Sequence, residues 1–160
     1  MVLDACVLVP VSLADTLLRI AERELYRPLW SARIVAEAVD AVVEIHPELP
    51  PEQVQRRFAD MDDTFEDARI DGWEDLEDTV TLPDPDDRHV VATAVHGRAD
   101  AIVTANLRDY PPEILGPLNI EVIHPTTSSS ISWTSPRGSC SRSYENRPPT
   151  PGNQPSRPSI

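Results

Sequence analysis

Hydrophobic residues follow two patterns along this chain. Short, mostly apolar runs, which are typical of buried strands, cover residues 2–9, 79–82, 101–104 and 120–123. Between these runs, apolar residues recur every three or four positions, as on the buried face of a helix. This spacing predicts helices over residues 12–26, 31–45, 87–97 and 112–115, and another that begins at Pro51. Strands alternating with helices predict an α/β fold in which helices flank a mostly parallel central sheet.

Local signals mark several helix ends. Ser12-Leu13-Ala14-Asp15 resembles a capping box, and Ser31 fits the N-cap of the second helix. Pro51 suits a first helical turn, and Gly97 fits a C-cap.

The acidic stretch Asp84-Pro85-Asp86-Asp87 stands directly before the helix with the most continuous apolar pattern. One acid there is explained by capping, because a carboxylate interacts favourably with free N–H groups and the helix dipole. Three acids within four positions exceed that need, since crowded like charges cost free energy unless a positive group lies among them. In a chain without lysine, a metal ion is a candidate for that group.

Further polar residues stand where the predicted strands end. Asp4 interrupts the first apolar run, where it is either held by a partner or ligand, or lies past the strand and caps a turn. Asn106 and Asp109 follow the strand over 101–104, and ligand sites of open parallel sheets tend to lie at the carboxyl ends of strands. We therefore expect these groups to converge on one crevice.

Glu37 borders the apolar face of the second helix, and Glu44 lies at nearly the same angle one heptad later. Spacing does not choose between them, and a solvated border position is the alternative for each. The acid-rich residues 60–78 show no fixed ligand spacing and lack the pattern of an EF-hand, so we interpret most of them as a solvated face.

Oxygen ligands of this kind suit Mg²⁺ or Mn²⁺. These ions activate water and stabilise the transition state of phosphodiester cleavage. No pair of a nucleophile and a histidine is evident. His89 stands beside the acids, where a packing role is the alternative.

Charge divides the chain in two. The net formal charge is −13, but residues 126–160 hold four Arg and one Glu, so residues 1–125 carry −16. A domain with this much negative charge repels nucleic acid at long range, unless cations or a rim of basic side chains around the site offset the repulsion. The candidates for that rim are Arg33, Arg88, Arg98 and Arg108. We expect a domain over residues 1–125 and a disordered, low-complexity Ser/Pro/Arg tail over 126–160.

Cysteine content and hydropathy bear on the compartment. Cys6 and Cys140 make no disulfide framework, and neither a signal peptide nor a membrane span is visible. We therefore expect a cytoplasmic protein.

Four pieces of the chain, in this order, resemble PIN-domain ribonucleases, the fold of VapC-type toxins of toxin–antitoxin modules. They are residues 2–8, Trp30-Ser31 with Glu37, residues 84–92 and residues 104–111, within a region that ends near residue 125. The resemblance implies a PIN-like three-layer fold and a metal-dependent endoribonuclease. It also implies an RNA substrate, a homodimer and an antitoxin partner.

The resemblance also implies roles for single residues. Asp4, Asp87 and Asp109 would hold Mg²⁺ or Mn²⁺, and Glu37 would ligate the ion or orient the attacking water. Asp86 is the alternative to Asp87, and Asn106 is a secondary candidate beside Asp109.

Three features depart from the family pattern and leave a second function open. Cys6 stands where many members have Asn or Ser, Asn106 stands where many have Asp, and the tail replaces a helical continuation. A catalytically inactive PIN-like binding module is therefore the alternative. A phosphoryl-accepting α/β domain fits less well, because such domains rely on a lysine and this chain has none.

Overall fold

The computed structural model of the chain describes residues 1–125, and the predicted tail over 126–160 lies outside the described residues. In this part of the chain, three strands form one sheet: β1 (Val2–Leu3), β2 (Ala101–Val103) and β3 (Glu121–Ile123). The helices of the same part are α1 (Ala5–Leu8), α2 (Val11–Glu22), α3 (Ala32–Ile45), α4 (Pro51–Thr64), α5 (Glu74–Glu77), α6 (Arg88–His96) and α7 (Pro112–Leu115).

β2 is the central strand of the sheet. It pairs in parallel with β1, where Val2 faces Ile102, and in parallel with β3, where Ile102 faces Val122. Single bridges from Val2 to Leu29 and from Trp30 to Arg69 continue the pairing beyond β1. The predicted parallel sheet with flanking helices is confirmed. Its register places the carboxyl ends of β1 and β2 side by side.

The first apolar run is only partly a strand, so the prediction over residues 2–9 is wrong after Leu3. Asp4 has an extended backbone, and the chain then turns into the short helix α1. Residues on both sides of this turn are buried, including Val2, Val7 and Leu8. A short apolar run does not distinguish a buried strand from a buried helix, and this is the reason for the error.

Two further boundaries differ from the prediction. Residues 79–82 form no strand; Val80 and Leu82 are buried through packing alone, without pairing in the sheet. α2 begins after Pro10 and ends at Glu22, so Ser12 lies inside the helix instead of capping it. Its carbonyl accepts a hydrogen bond from the Thr16 hydroxyl at 2.8 Å.

The predicted helix ends at Ser31, Pro51 and Gly97 are confirmed. The Ser31 hydroxyl accepts a hydrogen bond from the backbone N–H of Ile34 at 3.3 Å, and Pro51 is the first residue of α4. Gly97 follows α6, where an added Cβ would lie only 3.0 Å from the carbonyl oxygen of Thr93. No helix within residues 1–125 is long and apolar enough to cross a membrane.

Candidate metal centre

Three carboxylates meet at the carboxyl edge of the sheet. One oxygen from each of Asp84, Asp87 and Asp109 lies within 4.8 Å of the others. Asp84 stands directly before a tight turn of 3₁₀ helix over Pro85–Asp87, and Asp87 is the last residue of that turn. α6 continues directly from it. Asp109 ends a second such turn, Leu107–Asp109, which follows β2. Two loops at one end of the fold therefore bring the three acids together.

Asp4 is fixed beside this cluster by side chains from the neighbouring strand end and from α1. Its Oδ2 accepts hydrogen bonds from the Thr104 hydroxyl at 2.7 Å and from the Cys6 thiol at 3.1 Å. Thr104 is fully buried, and its Oγ1 also accepts the backbone N–H of Asn106 at 3.1 Å. Asp4 holds the N-cap position of α1 but caps no helical N–H there. Its hydrogen-bond partners come instead from α1 and from the end of β2, the strand next to β1.

Crowding and burial make these carboxyl groups reluctant to ionise. Burial raises the pKa of Asp4 to about 6, and the Thr104 hydrogen bond partly opposes this rise. Burial, together with the charges of Asp4, Asp109 and Asp84, raises the pKa of Asp87 to about 8. Burial also raises the pKa of Asp109. At neutral pH, Asp87 of the metal-free protein therefore keeps its proton, because a further negative charge in this cluster is unfavourable.

Glu37 approaches from α3 and is held by two basic side chains. Its Oε1 lies 3.0 Å from Nε2 of the fully buried His89 and 3.4 Å from Nε of Arg33. Arg33 also binds Glu77 at 2.7 Å. The Glu37 side chain is 42% exposed, whereas Glu44, its sequence alternative, belongs to the solvent-exposed surface. The structure thus distinguishes two acids that spacing left equivalent.

Tyr110 is buried close to the acids of the site. Its side chain is buried, and its hydroxyl has no hydrogen-bond partner within residues 1–125. Burial raises the pKa of Tyr110 well above its usual value, and the charges of Asp4, Asp87, Asp109 and Glu37 add to the effect. One phenol thus experiences the field of all four acids that the sequence proposes for the site.

The remaining predicted residues take less central positions. Asp86 is exposed and lies outside the three-carboxylate cluster; only its backbone N–H takes part, as a donor to Asp84 Oδ1 at 3.0 Å. The Asn106 amide donates a hydrogen bond to Oδ2 of Asp109. Of the candidate basic rim, Arg98 precedes β2 and therefore lies at the opposite end of that strand, whereas Arg108 is exposed beside Asp109.

Sequence reasoning missed three contributors to this site. Asp84 was noticed among the acids but given no role, although its place directly before a proline marks it as the cap of the turn that ends at Asp87. Thr104 carries the same signal as Asp4, a polar residue at the end of an apolar strand. For Tyr110 the sequence holds no comparable signal, because its burial depends on the packing of distant segments.

The donor set fits a hard divalent cation. The clustered atoms are carboxylate oxygens, the ligands that Mg²⁺ and Mn²⁺ prefer. Burial first, and neighbouring carboxylates second, raise the pKa values of Asp87 and Asp109, and positive charge among these groups would oppose both effects. A bound cation would supply that charge and would favour the ionised form of each ligand.

Comparisons with known proteins agree with this geometry. Residues 1–108 match the sequence profile of the PIN domain. A protein of Mycobacterium tuberculosis named "Putative ribonuclease VapC50" is 51% identical over 39 residues, which make up 24% of this chain and 23% of that protein. The aligned part is therefore less than a quarter of the relative's length. None of the solved structures matches the chain.

Proposed function

Because the chain belongs to the PIN-domain family, we propose that it is a metal-dependent endoribonuclease that hydrolyses phosphodiester bonds of RNA. The observation that carries this proposal is the meeting of Asp84, Asp87 and Asp109 at the carboxyl edge of a parallel sheet, with raised pKa values for Asp87 and Asp109. Such a cluster is suited to bind Mg²⁺ or Mn²⁺.

In this proposal the four predicted acids keep their roles, and Asp84 joins them. Asp4, Asp87 and Asp109 hold the cation, directly or through water, and Asp84 completes the acidic wall. When bound, the cation supplies Lewis acidity to water and to the phosphate. Glu37 orients the attacking water and accepts its proton. Its carboxylate is half exposed, lies 3.0 Å from His89 and is near enough for its charge to act on Asp4 and Tyr110.

The strong negative charge of the domain bears on substrate binding. Residues 1–125 carry −16, so an RNA backbone approaches only where cations or arginines offset the repulsion. The cation in the acidic cluster provides one such point, and the exposed Arg108 beside Asp109 provides another. Arg33 contributes less, because Glu37 and Glu77 already neutralise it.

The wider biological role follows from the resemblance to VapC-type toxins and from the short match to VapC50. We propose that this cytoplasmic protein is the toxin of a toxin–antitoxin module, that it acts as a homodimer, and that residues 1–125 form its nuclease domain. Its cognate antitoxin would bind the acidic crevice and block RNA.

Cleavage of a mixed RNA by the full chain tests the nuclease proposal. We expect cleavage with Mn²⁺, none with EDTA, and a loss of roughly 100-fold or more in rate for Asp87→Asn. Asp86→Asn is the matched control, because it removes a neighbouring but exposed acid and should keep nearly full activity. Equal losses in both variants would contradict the assignment of Asp87 to the site.

A second candidate function is an inactive PIN-like binding module. The observation in its favour is the Asn106 amide, which donates a hydrogen bond to Oδ2 of Asp109 and so competes with a cation for one of its two oxygens. Well-folded protein that binds Mn²⁺ yet cleaves no RNA would support this module over the nuclease.

A further inference from the structure

His89 is fully buried close to Asp4 and to the acidic cluster of Asp84, Asp87 and Asp109. It occupies the first turn of α6, two residues after Asp87, and its ring centroid lies 5.9 Å from that of Trp73. Neither ring nitrogen has an aligned hydrogen-bond partner within the described part of the chain. Buried polar groups are nearly always paired, and leaving one unpaired costs free energy. A simple packing residue would not need an imidazole in this place.

One polar atom nevertheless lies within reach of the ring. Oε1 of Glu37 is 3.0 Å from Nε2 of His89, although it lies off the direction in which Nε2–H points. Catalytic hydrogen bonds are often poorly aligned before substrate binds and tighten in the complex. A rotation of the Glu37 side chain that keeps this distance would align the contact.

We propose that His89 is a positioning residue that holds Oε1 of Glu37 through Nε2–H and thereby directs Oε2 into the crevice. This inference deepens the proposed function, on which its catalytic part rests. It gives the buried imidazole a role that the acids alone do not explain.

Arg33 does not fulfil the same role. Its Nε lies farther from Oε1 of Glu37, at 3.4 Å, and its Nη1 is held by Glu77 at 2.7 Å. Arg33 is also partly exposed, so water competes for its donors, whereas the His89 ring is fully buried. A buried donor fixes a carboxylate more closely than a partly exposed arginine that is shared with a second carboxylate. Without His89, we expect Glu37 to swing towards Arg33 and solvent.

Two substitutions separate positioning from packing. His89→Leu fills the space without a donor, and we expect kcat to fall roughly 10- to 100-fold while KM and Mn²⁺ affinity change less than about twofold. His89→Gln keeps an N–H near the position of Nε2 and should recover most of that loss. In a Glu37→Gln background, where the partner is already altered, His89→Leu should add less than about twofold.

A spectroscopic measurement tests the contact independently of activity. Long-range ¹H–¹⁵N spectra of the histidine rings should show the Nε2–H tautomer for His89 in the native chain and a shifted Nε2 signal in Glu37→Ala. Native protein that shows this signature but cleaves no RNA would overturn the nuclease proposal and still support the contact.

Three results would overturn the inference. They are an Nδ1–H tautomer that Glu37→Ala leaves unchanged, full activity in folded His89→Leu, and equal further losses from His89→Leu in the native and Glu37→Gln backgrounds. If His89→Leu does not fold, the spectra of the native chain and the kinetics of His89→Gln still decide.

Discussion

The hydroxyl of Thr104 donates a 2.7 Å hydrogen bond to Oδ2 of Asp4, and this bond joins the carboxyl ends of β1 and β2. Both residues are buried, so the bond is shielded from water. It holds Oδ2 of the acid, which also accepts the thiol of Cys6 at 3.1 Å. A neutral side chain of the sheet edge thus determines how an acid of the site is presented.

Replacing Thr104 by valine should destabilise the domain by about 1–3 kcal/mol, because a buried carboxyl group loses its closest donor. Urea denaturation measures the change. Thr93→Val is the matched control: Thr93 is equally buried, but its hydroxyl bonds only to the His89 carbonyl of its own helix, at 2.7 Å. We expect a smaller loss there, below about 1 kcal/mol. Equal losses of stability in the two variants would show that the bond to Asp4 contributes no more than the bond within the helix.

The metal-free domain should become less stable as the pH rises from about 4 to about 8. The unfolded chain releases the protons of Asp4 and Asp87 near the ordinary value of 3.8, whereas the folded chain keeps them until about pH 6 and about pH 8. Their contribution is therefore full below the unfolded pKa and is lost as the pH passes the folded values. Each proton changes stability by at most about 1.4 kcal/mol per pH unit.

Urea denaturation in EDTA across this pH range measures the decline. Asp87→Asn should flatten it above about pH 6, because Asp87 is the group with the higher pKa. Asp86→Asn, which alters an exposed neighbour, should leave the decline unchanged. A native chain that gains stability over the same range would refute the raised pKa values.

Mn²⁺ should stabilise the folded domain by mass action, even without any substrate. At a free concentration one hundred times the Kd, the gain is about 2.7 kcal/mol and appears as a higher Tm. Asp84→Asn and Asp109→Asn should each reduce this shift, because both residues contribute oxygens to the cluster. If Asp86→Asn reduces it as much, the cation binds elsewhere on the acidic surface.

Tyr110→Phe should leave stability unchanged or raise it by about 1 kcal/mol, because it removes a buried hydroxyl that has no partner within residues 1–125. Tyr26→Phe provides the opposite case. The Tyr26 hydroxyl donates a 2.8 Å hydrogen bond to the carbonyl of Leu17, so its removal should cost about 1 kcal/mol. A marked loss in Tyr110→Phe would reveal a hydrogen bond that this geometry lacks.

The sequence predicts the fold of this domain better than the details of its site. Ser31, Pro51 and Gly97 mark helix ends through interactions with neighbouring residues in the sequence. Such local interactions do not depend on how distant segments pack. The run over residues 2–9 fails because apolar residues suit a buried strand and a buried helix alike.

The acids at element ends are also visible in the sequence, but their partners are not. Asp86 and Asp87 look equivalent until a tight turn of 3₁₀ helix exposes the first and directs the second towards Asp109. Thr104 and His89 gain their significance only from side chains that are distant in sequence, Asp4 and Glu37. No local sequence pattern indicates these long-range contacts.

The bond between Asp4 and Thr104 spans 100 residues of sequence, and Asp109 lies further along still. During synthesis Asp4 is incorporated early, and its partners are added only when nearly the whole domain has been translated. An unfinished chain therefore has acids but no assembled crevice. The acidic cluster and the bond between Asp4 and Thr104 therefore form only after the last of these segments has left the ribosome.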